Sequence, residues 1–269
     1  MSATFRRRQV GPALNIAFKD LLAVIDVVLL PEFLPHEALP QAQVVVLDIL
    51  RATSTTVTAL ASGAASVRLF DSPDEVLKAK TAASRPVIAA GERGCRKMPG
   101  FDLGNSPAEY SQDIVNEAAI YLSTTNGTRA AVAARTARRM FVGSLLNASA
   151  TAEALVTELH RGPTLLLCAG TDGRTAIEDV IGAGAILWQV LAGTMRPDLE
   201  FTDTAWIAYQ TFASVRSRLG PALRLGQGGI NLINADLEAD IDFCAALDRF
   251  PMAVSVTLNT LEAAPWRNM

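Results

Sequence analysis

Short apolar runs, each followed by a polar turn and then an Ala-rich stretch, dominate the chain. Four segments show the pattern fully. VVVL at 44–47 leads into a loop at 48–56 and a helix ending near 61. AIYL at 119–122 leads into 123–128 and a helix ending near 138. MFV at 140–142 leads into 143–147 and a helix ending near 160. TLLLC at 164–168 leads into 169–175 and a helix ending near 191. Continuous apolar strands alternating with helices predict an α/β fold, a largely parallel sheet covered on both faces. Further strands are predicted at 23–30, 65–70, 86–90 and 252–258, and further helices at 203–217 and 236–248. Ser72-Pro73-Asp74-Glu75 and Ser106-Pro107-Ala108-Glu109 both read as capping boxes with Pro in the first helical position.

No repeat, low-complexity tract or linker divides the chain. Residues 1–20 read as a loose N-terminal extension and 21–269 as one α/β domain, with 193–197 as the candidate boundary if there are two close-packed lobes. Half of the residues are hydrophobic, so a large core is available. No apolar run reaches the ~18 residues that a membrane span requires. Arg6, Arg7 and Arg8 are not followed by the apolar segment of a secretory signal.

A net charge of −3 argues against nucleic acid and anionic membranes as partners. The basic residues are nonetheless uneven, 20 Arg to 4 Lys, and Arg presents the planar fork that suits phosphate, sulfonate and carboxylate. Three Cys without a C-x-x-C pair fit a reducing compartment, so a cytoplasmic location is expected. His36 and His160, the only histidines, lie outside any polar cluster, which excludes a His-based triad or zinc site.

In open α/β sheets ligands sit outside the carboxyl ends of the strands, and the polar loops fall there. Asp48 follows an apolar strand and Arg51 comes one turn later. Asp48 can hold Mg²⁺, attack phosphorus, or simply cap the next helix. The hydroxyl-rich 53–58 stretch either binds an anion at a helix start or caps it. GERGCRKMPGFDLGNS at 91–106 sets Glu92 beside Arg93, Arg96 and Lys97 in a glycine-rich loop, with Asp102 as a weaker ligand candidate. STTNGTR at 123–129 has the physics of a phosphate cradle, with Thr125, Asn126, Gly127 and Thr128 at a strand-to-helix turn and Arg129 supplying charge. Ser144 either bonds substrate or caps the following helix. CAGTDGRT at 168–175 fits the spacing of a cysteine-dependent phosphatase, with Cys168 as nucleophile and Arg174 as anion clamp. Cys is also commonly just buried at a strand end. Glu178 and Asp179 follow in a first helical turn, where the helix dipole alone favours them. With Asp48 and Glu92, either completes an oxygen-rich Mg²⁺ site.

Several of these segments together resemble the 2-phosphosulfolactate phosphatase family: VLDILRATST at 46–55, AGERGCRKMPGFDLGNSPAEY at 90–110, STTNGTRA at 123–130, VGSLLNASA at 142–150, CAGTDGRTAIEDVIGAGA at 168–185 and GQGGINLINADLEADIDFCAALD at 226–248. The resemblance spans roughly 23–258. It implies a three-layer α/β/α fold with a mostly parallel or mixed central sheet, Mg²⁺ dependence, and hydrolysis of 2-phosphosulfolactate to 3-sulfolactate and phosphate in coenzyme M biosynthesis. It places Asp48, Arg51, Glu92, Arg93, Asn126, Arg129, Glu178 and Asp179 in the site. From side-chain chemistry, Asp48, Glu92, Glu178 and Asp179 are the candidate metal ligands. Arg51 and Arg129 are expected to stabilise transition-state charge, and the attacking group is water, Asp48 or Cys168. The expected partner is a small anionic phosphate ester, with a homodimer left open. A non-catalytic binder of sulfonated or phosphorylated metabolites is the reading from another class. The central expectation is spatial: Asp48, Glu92, Asn126 and Glu178 should meet at one rim of the sheet.

Overall fold

A computed structural model describes residues 24–193 and 199–267. The predicted N-terminal extension and most of the predicted boundary at 193–197 lie outside the described residues. Eleven strands form one sheet: β1 (Val24–Val28), β2 (Gln43–Leu47), β3 (Ser66–Leu69), β4 (Val87–Arg93), β5 (Arg96–Lys97), β6 (Ala119–Ser123), β7 (Arg139–Gly143), β8 (Thr164–Cys168), β9 (Glu200–Phe201), β10 (Val254–Thr257) and β11 (Glu262–Pro265). The helices are α1 (Ala52–Ala61), α2 (Pro73–Ala82), α3 (Gln112–Val115), α4 (Gly127–Ala133), α5 (Ala148–Val156), α6 (Ile177–Gly193), α7 (Asp203–Val215), α8 (Leu219–Leu223), α9 (Gln227–Asn234) and α10 (Glu238–Cys244).

The sheet is built from two parallel wings. In one, β7, β2, β8, β1 and β9 lie side by side. In the other, β3 and β4 flank β6. The C-terminal hairpin of β10 and β11 joins them, antiparallel to β7 on one side and to β3 on the other. Following strand direction through the hairpin, the two wings run opposite ways. A flat sheet would therefore put their carboxyl ends on opposite edges. It would also hold β2 and β4, six pairings apart in the strand order, about 29 Å from each other.

The sheet does not stay flat, because it closes around α1. Residues 52–60 of this helix are all buried, and α1 touches β3, β7 and β11 from within the curl. Alternation along β2 shows the layering. Val44 and Val46 join a core shared with α1 and α4, whereas Val45 and Leu47 point to a core built with α5, α6 and α7. A smaller cluster of Phe70, Val76, Ala89 and Phe101 underlies α2. The result is the expected three-layer α/β arrangement with a mixed sheet. Among the described residues no helix is long and apolar enough to cross a membrane.

Several local expectations differ from the structure. The helix after residue 128 stops at Ala133, and the one expected to reach 160 stops at Val156, with a separate 3₁₀ turn at Leu159–Arg161. Ser72 caps α2 by accepting the Glu75 N–H at 3.3 Å. Ser106 makes no such cap. Its hydroxyl donates instead to Asp240 at 2.6 Å, only a 3₁₀ turn follows it, and Glu109 accepts from the Gly104 N–H at 2.7 Å.

The close crossing of α6 and α7 depends on Gly184, where an added Cβ would overlap the Ala208 carbonyl oxygen. Gly184→Ala is expected to lower the unfolding free energy in urea by about 1–3 kcal/mol. Gly193→Ala, at the end of the same helix with nothing within 4 Å of an added Cβ, should leave it unchanged or raise it by up to about 1 kcal/mol.

Candidate active site

Asp48 leaves the end of β2 and turns back on α1. Its Oδ1 accepts the Ala52 N–H at 3.1 Å. The hydroxyls of the 53–58 stretch, by contrast, close their own turns: Thr53 donates to the Asp48 carbonyl, Ser54 to that of Ile49, Thr56 to that of Ala52 and Thr58 to that of Ser54. Thr55 reaches further and ties α1 to the carbonyl of Asn105 at 2.8 Å. None is left to cradle an anion. The start of α4 comes up against Asp48 at Gly127. A Cβ there would sit 2.7 Å from Asp48 Oδ2 and 2.5 Å from the Ala52 Cβ, so only glycine permits the approach.

Glu92 arrives from the other wing. The β4–β5 hairpin turns through Gly94 and Cys95 with φ of 56° and 65°, the two positive values of a type I′ turn. That turn aims the Cys95 N–H at Glu92 Oε2 at 2.9 Å, while Glu92 Oε1 accepts from the Thr125 N–H and hydroxyl at 2.9 and 3.0 Å. Asp48, Arg51, Glu92, Cys95, Asn105, Thr125, Asn126, Thr171, Gly228 and Asn231 are among the residues around one cavity of about 150 Å³.

Glu178 and Asp179, in the first turn of α6, approach from behind. Asp179 holds the loops together, since Oδ1 accepts the Ile49 N–H at 2.9 Å and Oδ2 the Gly170 N–H at 3.0 Å. Glu178 is fully sheltered, and its Oε2 has no hydrogen-bond partner. It fits because Gly226 and Gly228 carry no Cβ; one at either position would overlap its carboxylate.

This crowding shows in the acidities. Burial pushes Asp48 up to about 7, with further repulsion from Glu92 and Glu178 and partial relief from the Ala52 and Gly127 N–H groups. Burial, then the Asp48 and Glu178 charges, raise Asp179 well above the usual carboxylate range, and burial raises Glu178.

The nearest cation does not offset this charge. Arg51 Nη1 is 2.6 Å from Asp240 Oδ2, in a pair whose side chains are only 3% and 5% exposed, and Nη2 donates to the Cys95 carbonyl at 3.1 Å. Asp240, in α10, was not singled out from the sequence. The segment around it carries the family resemblance, but an acid in a first helical turn has a sufficient structural explanation there.

The sequence profile of the 2-phosphosulpholactate phosphatase family matches residues 28–258. The chain belongs to this family. Among similar proteins, one from Symbiobacterium thermophilum is 39% identical over 79% of this chain and 90% of its own length. One from Deinococcus radiodurans is 39% identical over 80% and 88%, and one from Thermotoga petrophila 38% over 77% and 85%. Each carries the name "Probable 2-phosphosulfolactate phosphatase".

In this 2-phosphosulpholactate phosphatase family member, other sequence-picked residues lie apart from the cavity. Thr128 is buried and exchanges hydrogen bonds with Thr124 across the turn. Ser144 is buried, and its N–H and hydroxyl both go to Asn147 Oδ1 at 2.9 and 3.1 Å. Arg93 lies back along the sheet, donating to the Glu92 carbonyl of its own strand and to the Ser123 hydroxyl of β6. Arg129 lines a neighbouring cavity of about 210 Å³, which shares Asn126 with the first. Asp102 braces the outer edge, accepting from Lys80 and from the Ala89 N–H.

Cys168 is fully buried in the core beneath α6, and burial raises its thiol well above the usual value, with Asp179 and Glu178 adding to the effect. A thiolate nucleophile needs the opposite environment. Arg174 is exposed, and its backbone pairs with Thr171 around a tight turn. The cysteine-phosphatase spacing is thus a coincidence of an ordinary strand end.

A carboxyl whose folded pKa lies above its unfolded value holds more protons in the folded state across that window, so stability falls as pH rises through it. For Asp48 the window runs from 3.8 to about 7. In chelator, wild-type stability relative to Asp48→Asn is expected to decline across this range, by up to roughly 4 kcal/mol. Urea denaturation of both proteins at several pH values measures it, and a constant difference would contradict it.

Proposed function

We propose that this protein hydrolyses 2-phosphosulfolactate to 3-sulfolactate and phosphate, using Mg²⁺ held at the Asp48–Glu92–Glu178 end of the cavity. The supporting observation is that three carboxylates converge there while Arg51, the one buried arginine among the described residues, is already neutralised by Asp240. A substrate carrying phosphate, sulfonate and carboxylate groups would be repelled by such a site without a cation. As they stand, no three His, Cys, Asp or Glu side chains among the described residues are arranged to hold a metal ion by themselves. Mg²⁺ does not require that, because it keeps several waters and takes one or two carboxylates plus substrate phosphate oxygens. Asp48 and Glu92 at the cavity wall suit this role. The Oε2 of Glu178, beside Gly226 and without a hydrogen-bond partner among the described residues, suits a bond to a coordinated water or to the ion. When bound, Mg²⁺ supplies Lewis-acid polarisation of the phosphoryl group and offsets its negative charge.

The chain's own residues do the rest. Asn105, Asn126 and Asn231 offer amide donors to phosphoryl oxygens around the cavity. Asp48 Oδ1 accepts the Ala52 N–H and the Gly127 N–H eases its charge, which suits orientation better than attack, so water is the nucleophile. Asp179 acts at one remove, setting the loops after β2 and β8. Arg129, beyond Asn126, is placed to take the sulfonate or carboxylate end of the substrate. Cytoplasmic residence and a place in coenzyme M biosynthesis belong to the same proposal. The free state of Cys95, Cys168 and Cys244 supports a reducing compartment.

Phosphate release from 2-phosphosulfolactate tests the reading. EDTA should abolish it and Mg²⁺ restore it. Asp48→Asn and Glu92→Gln should lower kcat/KM by about 10²-fold or more, whereas Cys168→Ser should stay within about twofold of wild type. Full turnover in EDTA would refute the metal-dependent reading. Binding of the ester without turnover in Mg²⁺ would make the protein a binder.

A further inference from the structure

The cavity contains an unresolved competition. Arg51 is long, cationic and buried, and it lines the same 150 Å³ space as Asp48 and Glu92. A guanidinium prefers a bidentate carboxylate partner, and the acidic end of the cavity offers several. Yet Arg51 pairs away from that end. Asp240 holds it by Nη1 at 2.6 Å, and the Cys95 carbonyl fixes Nη2 at 3.1 Å. Asp240 is itself anchored, since its second oxygen accepts the Ser106 hydroxyl at 2.6 Å. Only 4% of Asp240 is exposed, so water cannot substitute for it.

We propose that Asp240 is a positioning residue that keeps Arg51 off Asp48 and Glu92, so that those carboxylates stay available to a divalent cation. The inference rests on the metal site of the proposed function. Without the Asp240 charge, Arg51 is a buried cation lacking a partner, a state that costs several kcal/mol until another anion is found. Asp48 and Glu92 line the same cavity as Arg51 and are the anions it would turn to. Arg51 would then act as an internal competitor for the metal. Ser106, from the glycine-rich loop, keeps Asp240 in the orientation that prevents this.

The test is direct binding of Mg²⁺ by calorimetry, and of Mn²⁺ by electron paramagnetic resonance, to the full chain without substrate, so turnover plays no part in the readout. Asp240→Asn is expected to weaken both at least tenfold. Adding Arg51→Met, which removes the competitor, is expected to restore affinity to within about threefold of wild type. Because Arg51→Met also relieves the unpaired buried charge, affinities are compared only for proteins shown by circular dichroism to be fully folded at the binding temperature, where lost folding cannot mimic weaker binding. In phosphate-release assays, the Asp240→Asn protein should regain most of its kcat at saturating Mg²⁺.

Ser106→Ala, which leaves the ion pair in place, should weaken metal binding in the same direction but by a few fold, and it carries the test if Asp240→Asn fails to fold. Wild-type affinity in a folded Asp240→Asn protein, or in Ser106→Ala, would overturn the proposal. So would a double variant as weak as the single one. A wild type that binds Mg²⁺ but releases no phosphate would refute the proposed function and leave this inference standing. A wild type that binds neither ion would refute both.

Discussion

Burial of several carboxylates in one place is the constraint around which the structure is organised. Burial shifts Asp48, Glu178 and Asp179 toward the neutral form, and the Glu178 charge adds to the shift of the other two. Such a cluster survives folding only if something else fixes each group. Backbone N–H groups do this for Asp48, Glu92 and Asp179, while two glycines make room for Glu178. The core beneath them is large enough to carry the cost, because the sheet is covered on both sides and curled around a buried helix. The site is thus built under electrostatic load, which the cation of the proposed function would relieve.

Topology explains how these groups meet. Asp48, Glu178 and Asp179 follow strands of one wing, while Glu92 lies at the end of β4 and Asn126 follows β6 in the other wing, which runs in the opposite direction. The hairpin of β10 and β11 joins the wings, and α1 fills the curl between them, so two sets of carboxyl ends come together that a flat sheet would separate. Residues that touch no substrate, such as Gly91, whose φ is 144° and where a Cβ would overlap the Ser123 carbonyl, therefore matter to the site by setting how closely β4 and β6 lie.

Much of this was legible in the chain. Apolar runs identify the principal strands to within a few residues, and the rule that ligands lie beyond strand ends selects the loops bearing Asp48, Glu92, Asn126 and Glu178. Signals that depend on what a side chain meets across the fold were not legible. A hydroxyl reads alike whether it binds substrate, caps a helix or, as with Thr128 and Ser144, is satisfied by a neighbour. Cys168 fits a phosphatase spacing, but only its burial shows that its thiol cannot ionise readily. β5 and β9, two residues each, and β11, with its charged and proline ends, leave no periodic trace. Asp240 looks like an ordinary first-turn acid until Arg51, 189 positions away, is found beside it.

The account turns on whether a divalent cation belongs where the acidic residues of the two wings meet. The most direct measurement is an anomalous difference map from crystals grown with Mn²⁺ and inorganic phosphate. It should show one strong peak at the end of the cavity bounded by Asp48 and Glu92, on the Glu178 side, with phosphate between it and the asparagine wall. A map with no peak there, or with Mn²⁺ bound elsewhere and Asp48 and Glu92 unmoved, would contradict it.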